Sequence, residues 1–445
     1  MNKEVKVVKK KRKLNWQKIF NLISFTFILA CIIFYGTRFI RLYLQNNKKE
    51  EIKVLADNIK DNNEGNLKNI NSDYYFTGKE VNNYVKYSNI LFRIIKINKD
   101  NSITLVSDKP ITSLAKGDNN DYKTSYINNW LNNQDKENTG ILEKNLNNPN
   151  KYLTYTNACN DKIDNTKNIT CKSTLADTLI TLPSLYDYIN TGDTKSFMNN
   201  ETYYYLLNTN KDNKTWYIND NGGVTTSDNT DILGIKPVIT LKSTNKLING
   251  DGTKDNPYTF EEERSMLGSY VKLGNDTWRV YDIDDNNLKL SLDNYLKINN
   301  EEITYKYSDK GYYHNDGKQG TLAYYLNKNY LSKLTYNSNI IEANYANGIY
   351  SNTTNYDYTK VLNKTIPTKV ATLSIGNIII NSDNTNYYLS TGVDTNSNLV
   401  YVMTNDFKLY TKNATSKLKI VPVITIDKKI LTSGDGSQNS PLEAK

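Results

Sequence analysis

Two stretches of the chain alternate apolar and polar residues, and each is broken by a polar turn. "ILFRIIKI" (90–97) and "SITLVS" (102–107) flank "NKDN". "TWRVYDI" (277–283) and "LKLSL" (288–292) flank "DDNN". Neighbouring side chains on a strand point to opposite faces, so each stretch predicts a β-hairpin with one face in a core. "YINNWLNN" (126–133) sets Tyr126 and Trp130 four residues apart with Leu131 adjacent, one face of a short helix. "TYYYLLN" (202–208), "WYIND" (216–220) and "GIKPVITLK" (234–242) read as later strands. The sum is an α+β module with more strand than helix.

The same blocks recur in the same order, which is the signature of a tandem duplication. Tyr84 matches Tyr270 and Phe92-Arg93 matches Trp278-Arg279, both at an offset of 186. Pro237 matches Pro422 at 185, and Gly250 matches Gly434 at 184. "YINNWLNN" matches "LAYYLNKN" (322–329), and Tyr217 is set on Tyr401. Phe92 and Trp278 are expected in equivalent buried positions, with Arg93 and Arg279 pointing the opposite way.

A different pattern opens the chain. Nineteen residues from Ile19 to Thr37 carry no charge, and Trp16 and Tyr35 stand near the two ends. That length approaches the ~30 Å of a bilayer core and predicts a transmembrane helix over 19–40. Eight Lys and Arg precede it within residues 1–18, so the positive-inside rule places the N-terminus in the cytoplasm and the rest outside. A cleaved signal peptide is the rival, but no A-x-A site follows. The expected organisation is a basic cytoplasmic tail (1–18), the membrane helix (19–40), a stalk (41–72), repeat 1 (73–260) and repeat 2 (261–445). The stalk is charged and Asn-rich, helical at first and then disordered at "DNNEGN" (61–66).

Charge adds one exclusion. The net charge is +9, but residues 1–49 hold twelve Lys and Arg against one Glu, leaving 44 positive and 46 negative residues beyond them. Phosphate binding needs a concentrated basic face. None is present in the bulk of the chain, so nucleic acid is not an expected partner.

Cys31 falls in the apolar span. Cys159 and Cys171 stand in "CNDKIDNTKNITC" with no His nearby, so a local disulfide in an oxidising compartment is expected rather than a metal site. Closing that loop contributes roughly 3 kcal/mol by chain entropy. Repeat 2 has no counterpart to this pair.

Reactive groups are scarce. The single His, His314, has no G-x-S-x-G and no Cys beside it in repeat 2, and reads as a solvated loop residue. There is no P-loop. "DIDDNN" (282–287) starts like an EF-hand loop but lacks the Gly at its sixth position and the Glu at its twelfth, and it coincides with a hairpin turn. No catalytic residue, metal or cofactor is therefore assigned, and the chain is not expected to be an enzyme. Aromatic residues remain. Tyr203, Tyr204, Tyr205, Trp216 and Tyr217 are the candidate ligand-binding group, a stacking platform for sugars, or else an alternating strand with half its rings in the core.

The block from Asn82 to Asp108, the Cys pair, "LPSLYDYIN" (182–190), "YYYLLN", "WYINDNGG" and "GIKPVITLKS" with the following "GDGTKDNPY" resemble a bacterial surface-domain family of unassigned function. More distantly they resemble the C-type-lectin-like and formylglycine-generating-enzyme-like fold. The resemblance covers most of residues 74–442. It implies two tandem, strand-rich C-type-lectin-like modules, so that the expected α+β fold is the N-terminal transmembrane helix read from the uncharged run, followed by those modules. In that wider fold a closing strand carries an Arg-Pro or Gly-Phe-Arg element. Here Lys236-Pro237 and Val421-Pro422 hold the place, so the Arg is absent twice. The expectation is a membrane-anchored bacterial cell-surface protein with two non-catalytic binding modules, single-pass with its modules extracellular. Its target would be a glycan, an envelope polymer or a protein. The alternative is an extracytoplasmic sensor or assembly subunit acting through a membrane partner.

Overall fold

The structure is a computed structural model that describes residues 16–46, 54–117, 121–309, 317–351, 356–380, 386–394 and 397–444. His314 and the basic tail up to residue 15 lie outside the described residues. The chain divides into two compact units, Met1–Ile52 and Lys53–Lys445.

The first unit is one helix, Trp16–Asn46. It corrects the reading of a membrane anchor. Among the described residues, no helix is long and apolar enough to cross a membrane. Asn21, Ser24, Thr26, Gly36 and Thr37 interrupt the run, and Arg38 and Arg41 follow at once. Thr26 and Thr37 turn their hydroxyls back onto the carbonyls of Ile23 and Ile33. The expected transmembrane helix followed by two lectin-like modules does not stand as a fold class, and the single-pass localisation loses its support with it.

The second unit begins inside the expected stalk. Helix Leu55–Asn62 buries Leu55, Ala56 and Ile59, spaced to share one helical face. Leu67–Ile70 and Asp73–Phe76 then form an antiparallel hairpin whose second strand pairs with Ile90–Ile97. The Asn and Asp of this segment therefore make turns and caps within a fold rather than a solvated tether. Asn71 and Ser72, both at positive φ, close the hairpin.

Strands dominate, in matching sets. In the first large sheet Tyr84–Tyr87, Ile90–Ile97, Ile103–Ser107 and Val238–Leu241 are neighbours. In the second, Tyr270–Leu273, Asp276–Ile283, Asn287–Leu292 and Pro422–Asp427 take the same order. Tyr84 pairs with Arg93 and Tyr270 with Arg279. Even the bulge recurs, between Ile94 and Lys96 and between Val280 and Asp282, at an offset of 186. Phe92 and Trp278 are fully buried. Opposite them, the Arg93 and Arg279 guanidinium carbons each lie 3.9 Å from the ring centroid of Tyr84 or Tyr270.

The smaller five-stranded sheets also match. Val224–Ser227, Thr215–Ile218, Tyr204–Thr209, Leu233–Gly234 and Ser113–Leu114 lie in that order. Tyr410–Asn413, Leu399–Met403, Tyr387–Gly392, Lys417–Lys419 and Thr304–Lys306 repeat it. Here the register corrects one sequence match. Tyr205 pairs with Tyr217, and Tyr388 with Val402. Tyr217 therefore corresponds to Val402, and Trp216 to Tyr401. The expected match slips by one residue, which on a strand exchanges the two faces.

The two repeats are not separate beads. One buried cluster joins Phe92, Trp130 and Leu206 of the first to Tyr350, Ile378 and Phe407 of the second. Trp130 Nε1 donates to the Gly376 carbonyl at 2.8 Å, Ala115 N to the Tyr350 hydroxyl at 3.1 Å, and Tyr203 N to the Asp406 carbonyl at 2.7 Å.

Candidate ligand-binding cleft

A polar cleft of about 300 Å³ opens over the first large sheet. Its floor is a single row of cross-strand partners. Tyr75 pairs with Lys96, Lys96 with Thr104, Thr104 with Thr240, and Thr240 with Thr154. Direct partners share a face, so five strands present a phenol, an ammonium and three hydroxyls side by side. The hydroxyls of Thr104 and Thr240 are 3.3 Å apart, and those of Thr240 and Thr156 are 3.2 Å apart. Asn98 donates to Thr104 Oγ1 at 3.0 Å.

One wall carries charge. Helix Leu185–Asn190 is capped by Ser184, whose hydroxyl accepts from the Asp187 N–H and donates to Asp187 Oδ2 at 2.6 Å. This Ser-x-x-Asp cap fixes the carboxylate in place. Tyr75 donates to Asp187 Oδ1 at 2.9 Å. Lys96 Nζ donates to Tyr75 at 3.1 Å and to Asp73 Oδ2 at 3.0 Å, and stands 3.9 Å from Asp187 Oδ1. Burial pushes the Tyr75 phenol far above its ordinary range, and Asp187 adds to the effect. Burial also works against the charge on Lys96, but the carboxylates of Asp187 and Asp73 outweigh it and raise the ammonium above its usual value. The phenol therefore stays protonated and the amine stays charged near neutral pH.

The opposite wall is the loop held by the Cys159–Cys171 disulfide, whose Cα atoms are 5.6 Å apart. Asp161 braces it, accepting from Lys172 N and from Ser173 Oγ, each at 2.7 Å. Tyr155, exposed, and Tyr186, half-buried, stand at the mouth. Lys96 and Lys99 face Asp73, Asp100 and Asp187 across the lining, which therefore carries one excess negative charge.

No family model, curated protein or solved structure matches the chain.

The aromatic residues singled out from the sequence do not form one platform. Tyr204 and Tyr205 are buried on opposite faces of their strand, and their hydroxyls donate to the carbonyls of Met198 and Asp231. Trp216 is half-buried, with Nε1 donating to the Ile163 carbonyl at 2.7 Å. Tyr203 and Tyr217 alone are paired near the surface. Their centroids are 6.3 Å apart, and Lys408 Nζ lies 5.1 Å from the centre of Tyr203. Of the cleft lining the sequence marks Cys159 and Cys171 but not the row or the charged wall. Two signals for them exist: a Lys at position 96 between Ile95 and Ile97 of a mostly apolar strand, and the Ser-x-x-Asp start of "SLYDYIN".

Proposed function

We propose that this chain is a non-catalytic binding protein whose first repeat takes a neutral or cationic polyhydroxylated ligand, a glycan or amino-sugar polymer, in the polar cleft. The observation that carries the reading is the row from Tyr75 to Thr154. Hydroxyls in a line, with amides beside them and tyrosines at the mouth, offer the alternating donors and acceptors that sugar hydroxyls pair with, and flat faces for sugar rings. The excess negative charge of the lining disfavours anionic polymers. The phenol and the lysine stay protonated, and the carboxylates of Asp187, Asp73 and Asp100 accept from Tyr75 and Ser184, from Lys96 and from Ser102, which supports binding over turnover. The disulfide favours an oxidising compartment, where such polymers are found outside the cytoplasm.

The test is a titration of the full chain against neutral, amino-sugar and uronic-acid oligosaccharides. Neutral or amino-sugar oligomers should bind. Thr104→Val, which keeps shape and removes a hydroxyl, should weaken binding by about fivefold, the worth of one hydrogen bond. A preference for uronic acids, or indifference to Thr104→Val, would overturn the assignment.

A further inference from the structure

We infer that the second repeat holds a ligand cleft of its own, at the duplication-equivalent place and for the same ligand class. This rests on the reading of the first cleft given above. A cavity of about 300 Å³ opens over the second large sheet. Asp282 and Lys289 line it, and both belong to the counterpart of the row in repeat 1. Asp282 pairs with Lys289, Lys289 with Thr425, and Thr425 with Ile341. Asp282 stands where Lys96 stands, Lys289 where Thr104 does, Thr425 where Thr240 does, and Ile341 where Thr154 does; of these Thr425 alone keeps a hydroxyl, bonded to the Tyr345 hydroxyl at 2.6 Å, and the lining offers the amides of Asn138, Asn344, Asn363 and Asn377 to a polyhydroxylated ligand in place of the threonines.

The salt bridge is kept while its partners change strands. Lys96 reaches Asp73 at 3.0 Å, whereas Lys289 reaches Asp282 at 2.8 Å within the row itself. The excess charge is kept too, since Glu137 and Asp282 face a single Lys289 across the lining. The walls differ. Repeat 1 walls its cleft with its own disulfide loop. In repeat 2 the wall comes from repeat 1, through Glu137, Asn138 and Ile141, and from the hairpin of Ala343–Ala346 with Thr365–Thr368. A ligand in the second cleft touches both repeats, so its binding draws on the junction that joins them.

Two exposed lining residues allow each cleft to be filled without disturbing the core: Asn157 in the first and Asn344 in the second. The full chain is titrated calorimetrically with glucosamine tetramer, and circular dichroism confirms that each variant is folded. Two equivalents should bind the unmodified chain. One should bind Asn157→Trp, one Asn344→Trp and none the double variant. A single equivalent, lost with Asn157→Trp and untouched by Asn344→Trp, would overturn the second cleft and leave the first standing. A single equivalent lost only with Asn344→Trp would support the second cleft and remove the first. No binding to any folded form would overturn both.

Discussion

The side chain of Asn145 does for Ile283 what a whole strand does for its counterpart. Asn145 Oδ1 accepts from the Ile283 backbone N–H at 2.8 Å, and Nδ2 donates to Asp282 Oδ1 at 3.1 Å. In repeat 1 the equivalent residue, Ile97, is paired with Tyr74 of the Asp73–Phe76 strand. Among the described residues of repeat 2 no such strand lies beside Asp276–Ile283. An amide from the other repeat has the same donor and acceptor as a peptide group, and it closes that edge.

Asn145→Ala should therefore destabilise the chain by about 1–3 kcal/mol, the cost of leaving a part-buried backbone donor unpaired. Asn145→Asp keeps the acceptor but sets a second carboxylate against Asp282. Its loss should be larger at pH 7 than at pH 4, where protonation relieves the repulsion. Denaturant unfolding of both variants at the two pH values measures this, and a neutral Asn145→Ala would show the edge to be satisfied by solvent.

The disulfide should matter to the cleft as well as to stability. Cys159→Ser with Cys171→Ser should cost roughly 3 kcal/mol by chain entropy. It should also release the wall that Asp161 braces, so the double variant should lose oligosaccharide affinity at temperatures where it remains folded. Peptide mapping without reduction should recover the two Cys in one linked pair.

Lys236 predicts a pH dependence. Its amine is fully buried, 3.5 Å from the Met198 carbonyl and 4.8 Å from the centre of the Tyr204 ring. Burial lowers its pKa from near 10.5 to about 7; Asp108 opposes the shift and Arg93 adds to it. Between about 7 and 10.5 the unfolded chain binds a proton that the folded chain does not, so this lysine makes stability rise with pH across that window. Below about 7 both states are protonated and the full cost of burying the charge remains. Lys236→Met should be more stable than the parent at pH 6, and its stability should rise less between pH 7 and 10. Thermal melts across that range decide it, and a parallel pH profile would place the titration elsewhere. Lys116, lowered by burial to about 8, contributes in the same direction and is unchanged in this variant.

The repeats should fail to fold apart. Residues 261–445 alone would expose Tyr350, Tyr358, Ile375 and Phe407, all buried in the shared cluster. Such a patch drives association or collapse. The fragment should bind a hydrophobic dye and lack a cooperative melt, while the full chain from residue 53 should unfold in one transition. A fragment with a sharp melt of its own would refute the shared core.

Much of the architecture could be read before any coordinates were known. Alternation marked the Ile90–Ile97 and Asp276–Ile283 hairpins. The Tyr126 and Trp130 spacing marked the short helix Tyr126–Leu131. Two cysteines twelve apart made their bridge. These are local matters: a period of two or 3.6, a cap or a short loop is set by neighbours along the chain. What stayed hidden depends on residues far apart in sequence. Alternation alone leaves open whether one or both faces of a strand are covered, and Tyr204 and Tyr205 are both buried because both faces of theirs are. Composition reads as a stalk the residues whose Leu55 and Ile59 pack into the core. The Lys96–Asp187 pair spans ninety-one positions, and the Asn145–Ile283 contact spans 138. Only chain closure over such distances brings these groups together. Because the register of each sheet decides which face a side chain takes, the cleft belongs to the folded molecule and to no single stretch of its sequence.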